Sequence, residues 1–148
     1  MSRTYSIRDL TGEFGITART VRFYETDGLL APVRRGQARV YTERDRARLK
    51  LILRGKRVGF TLAEIKEGFD LYDLDRGGPA HMAYLQRKFA ERIASLERQR
   101  ADLDAVLGEL RLGLSAIDTR LGELESDDGA RRPRLIGFGM MPAEGAEP

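Results

Sequence analysis

The residues of this chain whose type and spacing could do chemistry are arginines on two short predicted elements. Arg19 and Arg22 lie on a predicted helix, and a predicted hairpin over residues 33–41 carries three more, Arg34, Arg35 and Arg39. A guanidinium donates paired hydrogen bonds to a phosphate or to the edge of a guanine base. Three arginines on a nine-residue hairpin are too many to be explained by packing in a core. The pattern indicates binding of a polyanion, with plain solvation of the arginines as the alternative.

Composition argues against catalysis. The chain has no cysteine, and His81 is its only histidine. Thiol nucleophiles, disulfides and cysteine-ligated metals are therefore excluded, and there is no P-loop or dinucleotide fingerprint. A lone histidine beside a Gly-Pro break is typical of a surface residue. No metal, cofactor or enzymatic activity is expected. No apolar run approaches the roughly 18 residues of a membrane span, so no membrane association is expected either.

Charge is distributed unevenly along the 148 residues. Residues 1–66 hold 15 Lys and Arg against 7 Asp and Glu, a balance of +8. Residues 67–125 hold 8 against 12, a balance of −4, and residues 126–148 hold 3 against 4. A basic first part on a nearly neutral chain indicates a polyanion-facing module joined to a module of another kind.

The elements that position Arg19 and Arg22 form a predicted helix-turn-helix. Ser6 caps a first helix over residues 6–14, with Asp9 as its capping-box partner, and Gly15 ends it. A second helix, capped by Thr17, runs to about residue 27. Two helices joined by a short glycine-containing turn are typical of DNA-binding proteins. Val21 is expected to face the first helix, with Tyr24 or Glu25 one turn further on, which leaves Ala18, Arg19, Arg22 and Phe23 mostly on the outer face.

Two further helices complete the predicted first domain. Thr42 caps a third helix, with Asp45 three residues on, and this helix is expected to end near Gly55. Residues 56–60 are expected to form a basic loop before Thr61 caps a fourth helix through about residue 72. The Gly77–Pro79 break predicts a domain boundary, so the DNA-binding domain is assigned to residues 1–75. The predicted fold class is all-α, mainly helical with a small β-hairpin wing.

Residues 80–125 follow a heptad pattern. Seam positions alternate in steps of four and three, and ten of the eleven are apolar; they are Phe89, Ile93, Leu96, Arg100, Leu103, Leu107, Leu110, Leu114, Ile117, Leu121 and Leu124. This period predicts a coiled coil. The seam covers about 54 Å of helix, a stripe that this short chain cannot bury alone, so a homodimer is expected. Arg100 either sets the register or points outward. Residues 126–148 are expected to form a flexible or docking tail, with apolar residues 135–141 near a possible effector.

The chain resembles the MerR family of bacterial transcription regulators across residues 4–70. The matching segments are Tyr5-Ser6-Ile7 with Leu10, Gly15-Ile16-Thr17, Arg19-Thr20-Val21-Arg22-Phe23-Tyr24-Glu25, Gly28-Leu29-Leu30-Ala31-Pro32, Arg39-Val40-Tyr41 and Gly59-Phe60-Thr61-Leu62-Ala63-Glu64-Ile65. The resemblance implies an antiparallel coiled-coil homodimer that binds a pseudo-palindromic promoter spacer in double-stranded DNA. It further implies DNA distortion that lets RNA polymerase engage the promoter, and a cytoplasmic location at the bacterial nucleoid.

By the same resemblance, the DNA-contacting residues fall on the second helix, the wing and the basic loop. They are Thr17, Arg19, Thr20, Arg22, Tyr24, Arg35, Arg39, Tyr41, Lys56 and Arg57. Tyr24 matches the phosphate-binding tyrosine of the family. The sequence departs from the pattern at Phe23, where many members carry a tyrosine, and at Ala38, where an aromatic residue often precedes the wing arginine.

Residues 45–57 look most like the subgroup that regulates branched-chain amino-acid and acyl-CoA catabolism. A small organic effector, such as an acyl-CoA thioester, is the corresponding hypothesis. Two alternatives stay open. The chain could repress or organise DNA without an effector, or the heptad helix could be a protein-interaction module whose DNA affinity is incidental.

Overall fold

The computed structural model describes residues 2–127, which form three short strands and five helices. In chain order these are β1 (Thr4–Tyr5), α1 (Ile7–Phe14), α2 (Ala18–Thr26), β2 (Val33–Arg35), β3 (Ala38–Thr42), α3 (Glu43–Val58), α4 (Leu62–Asp75) and α5 (Pro79–Ser126). The predicted fold class, mainly helical with a small hairpin, is confirmed. The expectations for residues 128–148, including the apolar segment 135–141, lie outside the described residues.

Capping residues explain where the early helices begin. Ser6 with Asp9, Thr42 with Asp45, and Thr61 with Glu64 each form a complete capping box. In such a box the cap hydroxyl accepts a hydrogen bond from a free N–H of the first turn, and the acidic side chain accepts one from the cap residue. Thr17 caps α2 by accepting from the Thr20 N–H at 3.2 Å. All four predicted caps are confirmed.

A small antiparallel sheet has the strand order β1-β3-β2. β2 and β3 form the predicted hairpin around Gly36, which has φ +61°. β1 pairs Thr4 with Thr42 and Tyr5 with Tyr41. This strand was not predicted, because two residues show no periodicity and its partner lies far along the chain.

The core lies where α1, α2, α3 and the sheet meet. Its fully or almost fully buried members are Tyr5, Leu10, Val21, Tyr24, Leu29, Leu30, Tyr41, Leu49 and Ile52. Residues from the start of α4, among them Leu62 and Ile65, pack against this cluster. Burial of Val21 confirms the predicted inner face of the second helix, and of the two candidates one turn on, Tyr24 and Glu25, the structure buries Tyr24.

The predicted end of the third helix was wrong. α3 continues past Gly55 through Val58 and ends at Gly59, whose φ of 96° suits a residue without a side chain. Gly55 is a packing site within the helix, because a Cβ there would lie 2.9 Å from Cδ1 of Ile65. Residues 56–58 are therefore the last turn of a helix, and only residues 59–61 connect it to α4.

The chain divides into two compact units, residues 1–92 and residues 93–148. In the first unit, the start of α5 packs on the α3–α4 connection. The hydroxyl of Tyr84 donates to the Glu64 carbonyl at 2.8 Å, and Nε of Arg92 donates to the Val58 carbonyl at 2.6 Å. Within the described residues, no helix is both long enough and apolar enough to cross a membrane.

The second unit, in its described part, is the remainder of α5. Its apolar seam is largely exposed, as at Leu103, Leu107, Leu110, Leu114 and Leu121. Covering this row of exposed leucines would be favourable, because burial of each methylene group contributes about 0.8 kcal/mol. This face is therefore suited to a second apolar surface.

Candidate nucleic-acid interface

The outer face of α2 carries two cations that form no ion pair with any residue the structure describes. One residue of an α-helix turns the chain by about 100°, so the buried Val21 and Tyr24 place Arg19, Arg22 and Phe23 on the opposite side. All three are exposed, and neither arginine forms an ion pair among the described residues. Three of the four side chains predicted to face outward therefore do so, whereas Ala18 is half-buried. Both guanidiniums are available to an external anion.

The first turn of α2 holds two further predicted contact residues. The hydroxyls of Thr17 and Thr20 lie 2.9 Å apart, and Thr17 is exposed at the helix N-terminus. The N–H groups of a first helical turn favour an anion. Thr17 thus serves as the cap while lying on the end of the helix that a phosphate would approach.

Glu25 ties α2 to the wing. Its Oε2 accepts from Nε of Arg39 at 2.8 Å and from the hydroxyl of Tyr41 at 3.4 Å. Both Arg39 and Glu25 are about three-quarters buried, and Tyr41 is fully buried. Burial near this carboxylate raises the pKa of Tyr41 to about 12. We name these three residues the wing clamp.

The wing clamp changes the interpretation of two predicted DNA contacts. The Tyr41 side chain is inaccessible, and the Nε of Arg39 is engaged by Glu25, which leaves about a quarter of the Arg39 side chain exposed. Arg34 and Arg35 at the end of β2 are exposed and form no ion pair among the described residues. The free cations of the wing are therefore at its tip, while its base is locked to α2.

Tyr24 lies mainly in the core. Its exposed fraction is 6%, and its hydroxyl forms no hydrogen bond within the described part of the chain. Burial raises the pKa of Tyr24 above its ordinary value, which keeps the phenol neutral and able to donate. The role expected from the resemblance needs only this hydroxyl to reach a phosphate.

Lys56 and Arg57 occupy the last turn of α3, not a loop. Both are exposed, and neither forms an ion pair within residues 2–127. The helix end beside them is held by α5, because Arg92 donates to the Val58 carbonyl and its guanidinium lies directly over Gly59. A side chain at Gly59 would collide with Arg92, which gives a physical reason for glycine there.

Asp45 positions the segment between α2 and the wing, a role beyond its predicted capping. It is 4% exposed. Its Oδ2 accepts from the N–H of Thr42 at 2.9 Å, and its Oδ1 accepts from the N–H of Ala31 at 3.0 Å. The carboxylate thereby joins the start of α3 to the chain that leaves α2. Sequence offers the capping pattern but no signal for Ala31, which lies 14 residues away.

A charged network stabilises α1 against α3. Arg46 donates to Glu13 on α1 and to Glu43 on its own helix, and the Tyr5 hydroxyl donates to Glu43 at 2.6 Å. The guanidinium of Arg46 lowers the pKa of Glu13, and the Tyr5 hydroxyl lowers that of Glu43. These Arg46 contacts are internal, so Arg46 contributes no free cation, unlike the arginines of α2, the wing tip and the end of α3, which form no ion pair among the described residues.

A helix-turn-helix followed by a two-stranded wing defines the winged helix-turn-helix class. A family model for the MerR HTH family regulatory protein matches residues 5–71, and one for MerR, DNA binding, matches residues 46–112. The transcriptional regulator CueR of Salmonella typhi is 31% identical over 107 residues, which cover 71% of this chain and 75% of CueR. The chain belongs to the MerR family of transcription regulators. Its curated relatives are regulators and not enzymes.

Two solved structures share both fold and sequence with the chain. HiNmlR, a MerR family regulator that lacks the sensor domain and was solved bound to promoter DNA, has 26% identity and a TM-score of 0.56. The match covers 86% of this chain and 98% of that one. PbrR691 from Ralstonia metallidurans CH34, solved with lead(II), has 32% identity and a TM-score of 0.55, over 76% and 87% of the two chains. In the described residues of the present chain, no group of His, Asp and Glu could hold a metal ion.

Proposed function

We propose that this protein is a homodimeric transcription regulator that binds a pseudo-palindromic promoter spacer in duplex DNA and distorts it to control RNA polymerase. The wing clamp is the observation that carries the proposal. It fixes a helix with free arginines and a wing with free arginines in one rigid arrangement. Such a head can contact base edges through α2 and the phosphate backbone through the wing tip. The promoter-DNA complex of HiNmlR supports this use of the fold.

In this proposal the predicted contact residues divide into two groups. The first group contacts DNA directly and consists of Thr17, Arg19, Thr20, Arg22, Tyr24 through its hydroxyl, Arg35, Lys56 and Arg57. Arg39 and Tyr41 act through Glu25, by holding the wing at a defined angle to α2. The division follows from the bonds to Glu25: Arg39 and Tyr41 both donate to that carboxylate, whereas the Tyr24 hydroxyl has no hydrogen-bond partner among the described residues.

We assign dimerisation to the α5 seam. Its members are Phe89, Ile93, Leu96, Leu103, Leu107, Leu110, Leu114, Ile117 and Leu121. In an antiparallel pairing centred near Leu107, the N-terminal end of each seam lies beside the C-terminal end of the partner's seam. Arg100 then lies close to Leu114 of the partner subunit. Both ends of this seam are apolar, so the pairing leaves no long apolar stretch uncovered.

The signal in this proposal is a small organic anion, with acyl-CoA thioesters as the first candidates. Support comes from the resemblance of residues 45–57 and from an open cavity of about 490 Å³ lined by Arg44, Tyr72, Asp73 and Arg76. Arg44, which is paired with Asp73, and Arg76 lie beside the exposed ring of Tyr72, and a phosphate that displaced the carboxylate of Asp73 would find two guanidiniums and an apolar surface. The chain has no cysteine for the thiolate chemistry of soft-metal sensing. Calorimetric titration of the dimer with a series of acyl-CoAs is the test, and no heat with any of them would refute this assignment.

A footprint on the DNA upstream of its own gene tests the core of the proposal. We expect two protected half-sites related by a two-fold axis, which follows from a symmetric dimer. In vitro transcription from the footprinted promoter then measures the sign of regulation. A rise in transcript supports activation by distortion, and a fall supports the repressor alternative. Protection of every fragment without sequence preference would overturn the proposal.

A further inference from the structure

Phe23 is a large apolar side chain on the face of α2 that carries the free arginines. It is 55% exposed and does not belong to the hydrophobic core. Within residues 2–127 its ring has one aromatic neighbour, Tyr24, at a centroid distance of 6.0 Å. A single exposed apolar residue needs no explanation by itself. Phe23, however, lies beside Arg19 and Arg22 on the outward face of α2, where a bound partner would contact it.

The wing clamp determines on which side of this face Phe23 lies. At 100° per residue, Arg19 and Thr26 lie nearly opposite the buried residues, and Arg22 and Phe23 flank them. Glu25 is turned toward β3 by its bond to Arg39, and Arg22 lies on that same side. Phe23 therefore lies on the side away from the wing. The outer face of α2 thus carries Arg22 toward the wing and Phe23 on its far side, with Asp27 at the helix end beyond Phe23.

This asymmetric face matches the chemistry of a major-groove edge. Arginine pairs with the acceptors of guanine, whereas the 5-methyl of thymine is the one apolar group that a base presents there. A protein partner is a poorer match, since Arg19 and Arg22 beside Phe23 form no ion pair among the described residues and suit a polyanion, while the exposed Asp27 lies beyond them at the end of the helix. Resting on the DNA binding proposed above, we propose that Phe23 contacts a thymine methyl in each half-site and makes that thymine a specificity determinant.

The test removes the methyl group alone. Duplexes are selected from a randomised library with the wild-type dimer, and each thymine is then replaced singly by deoxyuridine. We expect one symmetry-related pair of thymines to lose about fourfold in affinity per half-site, the factor that corresponds to burial of one methyl group. Phe23→Ala should bind the thymine and uracil duplexes equally. Thr26→Ala, a change on the same face, should keep the wild-type ratio.

Each outcome decides between the inference and its basis. A Phe23→Ala variant that still prefers thymine over uracil would overturn the assignment. If that variant also binds both duplexes more weakly by the same factor, Phe23 contacts the DNA backbone. Selection of a defined site without any thymine dependence would also overturn it and leave the proposed DNA binding intact. Failure of the wild type to select any duplex would overturn the proposed function itself. Thermal unfolding of each variant establishes that the exposed substitution leaves the fold unchanged.

Discussion

Among single residues, Arg22 gives the most specific prediction about DNA recognition. Its side chain is exposed on α2 and forms no ion pair among the described residues. Arg22→Ala should weaken binding to the selected operator by roughly 1–3 kcal/mol and relax the preference at one position in each half-site. Binding titrations against a set of single-base operator variants measure both effects. Arg111→Ala, an exposed change on α5, is the control. An equal loss on every sequence would make Arg22 a phosphate contact.

The wing clamp separates two arginines that look equivalent in the sequence. Arg35→Gln removes a free cation of the wing tip and should lower the magnitude of the salt slope of DNA binding by about one unit for each phosphate that the wing no longer neutralises. Arg39→Gln should weaken binding with the slope unchanged, because its charge is already paired with Glu25. Affinities measured over a range of salt concentrations distinguish the two changes.

Reversing the ion pair, with Glu25→Arg and Arg39→Glu, tests independently whether Arg39 acts through Glu25. Each single change should weaken DNA binding by leaving a partly buried charge unpaired, and the double change should recover part of that loss. A double variant as weak as the product of the two single effects would show that Arg39 acts independently of Glu25.

At the scale of elements, the junction between α3 and α4 depends on one glycine. Gly59 has φ +96° and lies under the Arg92 guanidinium. Gly59→Ala should therefore destabilise the fold by about 1–3 kcal/mol. Gly12→Ala is the matched control, since nothing lies within 4 Å of its Cβ position and it is inside α1. That change should be neutral or stabilising by up to about 1 kcal/mol. Urea unfolding followed by circular dichroism measures both variants.

The cap of α4 makes stability depend on pH. The backbone N–H of Thr61, its hydroxyl and Lys88 all favour ionised Glu64, and they hold its pKa below the ordinary 4.5. The stabilisation is complete above that value and is lost as pH falls through the lower folded-state pKa. Glu64→Gln should therefore be less stable than wild type at pH 7, and the gap should narrow below pH 4.5. Glu97→Gln should follow the wild-type curve in urea unfolding across the same pH series.

At the scale of the whole molecule, the assembly depends on which face of α5 is covered. Leu110→Asp places an unpaired charge in the seam and should dissociate the dimer. Leu112→Asp is the matched control, because Leu112 is 76% exposed and lies off the seam. Sedimentation of both variants is the measurement. A dimer that survives Leu110→Asp, or a monomer produced by Leu112→Asp, would refute the seam assignment.

The local features of this chain were predictable because they depend on residues a few positions apart. Capping boxes join residues three apart, as in Ser6 with Asp9, and each starts a helix where the sequence indicates. The amphipathic pattern of α2 and the heptads of α5 follow from helix geometry alone. The charge excess of residues 1–66 likewise needs no fold to be counted.

The contacts that orient these elements join residues distant in sequence, and only the tertiary structure decided them. Glu25 meets Arg39 and Asp45 meets Ala31 across 14 positions, and Arg92 meets Val58 across 34. Such pairs leave no periodic signal, since many alternative partners of the same type were available to each. Local spacing therefore predicted the helices and the anion-binding character. Packing determined which arginines are free, where α3 ends and how the wing is held against α2.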